Sequence, residues 1–188
     1  MNMLQIARAI VALPLLLAPA LWLALALSRP AFAASDAPIT ILAFGDSLTA
    51  GFMLRPEQSF PAQLQMALLA KGHKVRIINA GVSGDTSADG RNRLAWSLEE
   101  KPDAVILELG ANDALRGLDP ALTRANLDAI LQTLNEASLP VLIAGMKAPG
   151  NFGADYARTF DAIFPDLAKK YAAQLYPFFL SGVALNPA

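Results

Sequence analysis

The chain has 188 residues, 15 basic and 16 acidic side chains, and no cysteine. Without cysteine it has no disulfide, no thiolate metal site and no lipid-modified N-terminal cysteine. Its near-balanced charge forms no Lys/Arg run or patch, which excludes nucleic acid as a partner class.

The first segment differs from the rest. Arg8 precedes an uncharged apolar run over residues 9–28, and Ala31-Phe32-Ala33 closes it with a small-x-small exit. A basic start, an apolar centre and a small-residue exit form the pattern of a secretory leader, predicted here over residues 1–33 with cleavage after Ala33. The run is also long enough to span a bilayer. Pro14, Pro19 and the Ala-x-Ala exit favour cleavage, which leaves no stable membrane anchor and a periplasmic or secreted product. Residues 34–188 then read as one domain, long enough to bury a core of its own.

From residue 39 onward, strands and helices alternate. Residues 39–44 are predicted as the first strand. Ser59 is placed to cap a helix with Pro61 in its first turn; Leu64, Ala67 and Leu68 share a face, and Gly72 ends it. Residues 75–79 read as a second strand, 87–98 as a helix and 104–109 as a third strand. Asp119-Pro120 opens a helix in which Leu127, Ile130, Leu131 and Leu134 keep the i, i+3, i+4, i+7 spacing. A fourth strand is predicted over 141–145, a helix over 156–171 bent or split by Pro165, and a short fifth strand over 175–179. Strands 1, 3 and 4 are near-continuous apolar runs, as strands covered on both faces should be. Alternation with helices implies a parallel sheet with right-handed crossovers. In such sheets ligands bind beyond the carboxyl ends of the strands.

Three polar stations fall at those ends. Gly45-Asp46-Ser47-Leu48 follows strand 1, Ser83-Gly84-Asp85-Thr86 follows strand 2, and Gly110-Ala111-Asn112-Asp113 follows strand 3. Each alone reads as an ordinary turn or helix cap. Together they supply the parts of acyl transfer: the Ser47 hydroxyl as nucleophile, the Gly84 backbone N–H, and two side-chain N–H donors on Asn112 for an oxyanion. Asp46 and Asp113 read as braces of their turns. Glu108 is unusual within an apolar strand and needs buried partners.

These blocks resemble the SGNH, or GDSL-type, hydrolase family, and within it the secreted bacterial arylesterase, thioesterase and lysophospholipase subgroup. The resemblance runs over residues 39–185 through 43–51 (Ala-Phe-Gly-Asp-Ser-Leu-Thr-Ala-Gly), 79–87 (Asn-Ala-Gly-Val-Ser-Gly-Asp-Thr-Ser) and 107–117 (Leu-Glu-Leu-Gly-Ala-Asn-Asp, then Leu115-Arg116-Gly117). It implies a flavodoxin-like three-layer α/β/α sandwich on a parallel five-stranded sheet, with no metal or organic cofactor. It makes Ser47 the nucleophile, and Ser47 N–H, Gly84 N–H and Asn112 the oxyanion site. The implied substrate is a small acyl ester or thioester, a lysophospholipid included. Met146, Pro149, Phe152 and Tyr156, which follow strand 4, are candidates to line the acyl pocket, with core packing as the competing role.

One block is missing. The resemblance implies an Asp-x-x-His block and a closing helix after strand 5, and residues 181–188 (Ser-Gly-Val-Ala-Leu-Asn-Pro-Ala) carry neither. His73 precedes strand 2 and is expected at the opposite end of the sheet from Ser47, roughly 15 Å away at ~3.3 Å per residue. The expectation is therefore a serine esterase that is nearly inactive as this chain, with an uncovered apolar stripe that favours association. The alternatives are a non-catalytic acyl- or glycan-binding remnant of the same fold and, last, a phosphate-binding domain with residues 81–86 as an anion nest.

Overall fold

A computed structural model describes residues 37–184. The predicted leader and its cleavage site lie outside the described residues. Five parallel strands form one sheet: β1 (Ile39–Gly45), β2 (Val75–Gly81), β3 (Ala104–Glu108), β4 (Val141–Ala144) and β5 (Gln174–Tyr176), in the spatial order β2-β1-β3-β4-β5. The helices are α1 (Ser47–Ala50), α2 (Phe60–Ala70), α3 (Ser87–Ser97), α4 (Ala111–Leu115), α5 (Pro120–Glu136), α6 (Ala154–Asp161) and α7 (Ile163–Lys170).

One face of the sheet is densely covered. Leu42 and Phe44 of β1, Val105 and Leu107 of β3 and Ile143 of β4 pack with Leu94 of α3, Leu127, Ile130, Leu131 and Leu134 of α5, and Phe160, Ile163, Phe164 and Leu167 of α6 and α7. The period-3.6 spacing in α5 thus becomes a buried stripe, and Asp119 caps the helix by accepting from Ala121 N at 2.8 Å. The predicted long helix is two helices. Pro165 falls in the first turn of α7, where its missing N–H interrupts the ladder from α6 at no further cost.

The other face is covered by α2 over β2, with 11 residues of which only Pro61 is buried. Ser59 occupies the N-cap of α2 but does not cap it; its hydroxyl donates back to Pro56 O at 2.8 Å instead. Gly72, at φ +84°, closes the helix as expected, with His73 N donating to Leu68 O. Among the described residues, the sheet beside α2 is open. Ile106, Leu142, Ala144 and Tyr176, on successive strands, line an apolar groove of about 640 Å³ with Phe60 and Leu64 of α2. Leu142 is 36% and Tyr176 46% exposed, in positions where a strand of a doubly covered sheet is normally buried. Self-association at micromolar concentration is therefore expected by sedimentation velocity, with Leu142→Lys shifting the distribution toward monomer. A wild-type chain that sediments as a single monomer at high concentration would contradict this.

The register sets the site. Gly45 lies level with Gly81 on one side and Glu108 on the other, so β1, β2 and β3 end together. The chain leaves β1 toward β2, then crosses back over β1 to β3. This reversal opens a crevice between the loops after β1 and β3, the place where parallel sheets bind ligands.

Candidate active site

Ser47 opens α1 directly after β1, half-buried, behind a fully buried Asp46. Asp46 caps α1 through Leu48 N at 3.0 Å, which shapes the sharp strand-to-helix turn. The turn is pressed against its neighbours so closely that two positions exclude a side chain. A Cβ on Gly45 would stand 2.2 Å from Thr49 Oγ1 and 2.6 Å from both the Glu108 carbonyl and Oε2. A Cβ on Gly81 would stand 2.2 Å from Ala50 N. Glycine at these positions lets the ends of β2 and β3 clasp α1.

Asn112 lies in α4, beyond β3. Its Nδ2 donates to Asp85 O at 2.9 Å and to Asp46 Oδ2 at 3.2 Å. One amide therefore joins all three stations: the Ser47 turn, the loop after β2 and the loop after β3. Gly84 is exposed, at φ +90°, a conformation reserved for glycine. Its carbonyl accepts from Arg116 Nη2 at 2.8 Å. Thr86 and Asp89 then form a reciprocal capping box that starts α3.

Asp113 braces the same region, as its sequence context implied. It is buried and accepts from Ser87 N at 2.8 Å, Ser87 Oγ at 2.5 Å and Thr123 Oγ1 at 3.1 Å. Arg93, on α3, is a brace that the sequence did not reveal. Its guanidinium pairs with Asp85 at 2.6 Å, donates to Gly45 O at 2.9 Å and lies 4.1 Å from the centre of the Phe44 ring.

A cleft of about 450 Å³ lies between these loops, lined by Asp46, Ser47, Leu48, Asn112, Leu115, Met146, Lys147, Pro149, Phe178 and Leu180. The four candidate pocket residues divide here. Met146 and Pro149 line the cleft, whereas Phe152 and Tyr156 do not. The Phe152 ring lies against Gly117, and Tyr156 stacks beside Phe160 and donates its hydroxyl to Leu118 O at 2.9 Å. The glycine-flanked turn Gly150–Phe152 carries them to the α4–α5 connection. Lys147, Phe178 and Leu180 take places on the wall that the sequence reading had left empty.

His73 is the chain's only histidine. It is exposed at the start of β2, while Ser47 follows the other end of β1. Seven residues of paired strand separate the two levels, roughly 20 Å at ~3.3 Å each. His73 is thus far outside the roughly 3 Å reach of a general base. Among the described residues, no cluster of His, Asp and Glu is arranged to hold a metal ion.

Residues 43–187 match the GDSL-like Lipase/Acylhydrolase family. The chain belongs to this family. Within the GDSL family it is 40% identical over 156 residues to an arylesterase of Vibrio mimicus, covering 82% of this chain and 78% of that one. It is also 40% identical over 149 residues to the Escherichia coli K12 protein named thioesterase 1/protease 1/lysophospholipase L1, covering 79% and 70%. Among solved structures, AlinE4, an SGNH-hydrolase family esterase, superposes with a TM-score of 0.78 at 53% identity, covering 80% of this chain and 81% of that one. The three-layer α/β/α architecture expected from the GDSL resemblance is thereby established.

The electrostatics at the turn of this GDSL chain centre on two buried carboxyls. Glu108 and Asp46 are both fully buried side by side. Burial pushes the Glu108 carboxyl up to about 8, with the Asp46 charge adding to the rise and the hydrogen bond from Thr49 opposing it. Burial also raises Asp46, against the opposing hydrogen bond from Leu48 N. Two adjacent carboxylates in such a place do not both ionise at neutral pH.

Proposed function

We propose that this chain carries the nucleophile and oxyanion site of an exported serine esterase acting on carboxylic esters or thioesters. Ser47 Oγ attacks the acyl carbonyl. The oxyanion that forms is held by Ser47 N–H, Gly84 N–H and an N–H of Asn112. The alcohol or thiol departs with a proton, and water then releases the acyl group from Ser47. The observation that carries this reading is the shared cleft at the β1/β3 crevice, which Ser47 and Asn112 line together. Leu48, Leu115, Met146 and Phe178 give it apolar walls suited to an acyl chain. The relatives' names extend the substrate range from aryl esters to thioesters and lysophospholipids. The leader pattern supports action in the periplasm or outside the cell.

His73 does not reach Ser47, so slow turnover is expected of these 188 residues on their own. Donors and binding without a base are expected to leave roughly 10³-fold catalysis over water. That same deficit favours the second reading, a module that binds acyl or glycan ligands without turning them over. The deciding experiment measures release of p-nitrophenol from esters of two to twelve carbons, and of fatty acid from lysophosphatidylcholine, by the wild-type chain and by Ser47→Ala. Slow turnover that vanishes in the variant is the expected result. Equal rates in the two proteins, with ligand still bound, would replace the esterase by the binding module.

A further inference from the structure

Glu108 occupies the last position of β3, with no exposed surface, and it does not face the cleft. Its Oε2 accepts from Thr49 Oγ1 at 2.7 Å and from Asp46 N at 3.3 Å. These donors flank Ser47 on either side: one belongs to the residue before it and the other to the residue two places after. Its Oε1 is the one buried side-chain oxygen among the described residues with no hydrogen-bond partner. Gly45, whose α carbon lies against this carboxyl, cannot carry a side chain without striking it.

We propose that Glu108 is a positioning residue for Ser47, clamping the nucleophile turn from both sides through one carboxyl oxygen, and that it does so as a neutral acid. This assignment rests on Ser47 being the nucleophile. Oε2 is already engaged as an acceptor of two bonds, so the proton belongs on Oε1, the oxygen without a partner. An ionised carboxyl would place a charge against an unpartnered atom in a buried site, beside a second carboxylate. The neutral form leaves Asp46 as the anion of the pair. Asp46 then keeps the bonds an anion makes best, to Leu48 N and Asn112 Nδ2. Burial of Glu108 and the charge of Asp46 both favour the protonated form.

The surrounding charges act in the same frame. Asp85 adds negative charge near Asp46 and is itself paired with Arg93, whose guanidinium reaches Gly45 O. Lys147 lines the same cleft as Asp46. Helix α1, which packs on the carboxyl, has no charged residue. Raising the pH through the Glu108 midpoint therefore creates two like charges under the turn, and their repulsion changes the setting of Ser47.

The test uses the full chain labelled with 15N and with 13C at the glutamate carboxyl carbons, followed by NMR from pH 5 to 9.5. One glutamate carbon should titrate several pH units above the others, and the amides of Ser47 and Leu48 should shift with the same midpoint. Both effects should be lost in Glu108→Gln, which keeps a neutral side chain and should retain the low-pH amide positions of the turn. Titration of Glu108 together with the other glutamates would overturn the proposal. So would turn amides that ignore its midpoint, or a Glu108→Gln spectrum whose turn resembles the high-pH wild type. None of these readouts involves turnover. A chain that hydrolyses no ester yet shows the coupled titration would remove the esterase reading alone.

Discussion

Imidazole at tens of millimolar should speed ester cleavage by the wild-type chain about tenfold beyond its own background rate and leave Ser47→Ala at that background, because a positioned base is worth 10²–10⁴ and a diffusible one recovers part of it. The argument is spatial. Ser47 is half-buried at the mouth of a cleft of about 450 Å³, which has room for a small heterocycle beside an acetyl group. The chain's own imidazole is fixed at the opposite end of the sheet. Asn112→Ala should then cost the rescued reaction roughly 10²-fold, about 3 kcal/mol, as loss of one oxyanion donor does elsewhere. The Asn112 amide spends its two N–H groups on Asp85 O and Asp46 Oδ2. The developing oxyanion must displace the longer of these, the 3.2 Å bond to Asp46. A rescue seen equally in Ser47→Ala would mean that imidazole attacks the ester unaided, and the nucleophile assignment would fall.

Much of this arrangement was legible in the sequence because its causes are local. Apolar runs over β1, β3 and β4 gave the strands to within a residue or two, and the polar stations had to follow at their ends. Glu108 stood out because a charge inside such a run has to be explained by burial with partners. The failures have physical reasons. Leu175 to Phe179 reads as a continuous strand, but Pro177 has no N–H to give. The ladder stops at Tyr176, and the chain turns so that Phe179 N donates to Gly145 O. Phe152 and Tyr156 follow strand 4 just as Met146 and Pro149 do. Only the turn at Gly150–Phe152 decides that they face α4–α5 rather than the cleft. Arg93 sits on a polar helix where a solvated arginine is the ordinary expectation. Its partners Asp85, after β2, and Phe44 and Gly45, at the end of β1, come from two separate segments, which no spacing rule connects.

The buried carboxyl pair also predicts an inverted dependence of stability on pH. Glu108 titrates near 4.5 when unfolded and is raised to about 8 in the fold. Between those values the native state holds a proton that the unfolded chain has released, so stability falls as pH rises and levels off only above the native midpoint. Asp46, also raised by burial, acts with the same sign. The opposite limb comes from Asp89, lowered mainly by its bond with Thr86, and from Asp128, lowered mainly by Lys170. Their contributions are present above the ordinary carboxylate range and fade as the pH falls below it. Asp89 and Asp128 are near the surface, so this limb is shallow. The sum places maximum stability near pH 5 and makes the chain progressively weaker toward pH 8, by a few kcal/mol, or roughly 10 °C in Tm for a domain of this size. Glu108→Gln removes the proton and with it most of the slope. Its melting temperature should lie below the wild type at pH 5, where an optimally protonated acid is exchanged for an amide in a tight site, and should approach or pass it by pH 8.5. Thermal melts at four or five pH values, with both proteins in the same low-salt buffer series, measure this crossing. Parallel curves would mean that Glu108 is ionised throughout, and the clamp on Ser47 would then be an ionic one, held by Thr49 and the Asp46 amide alone.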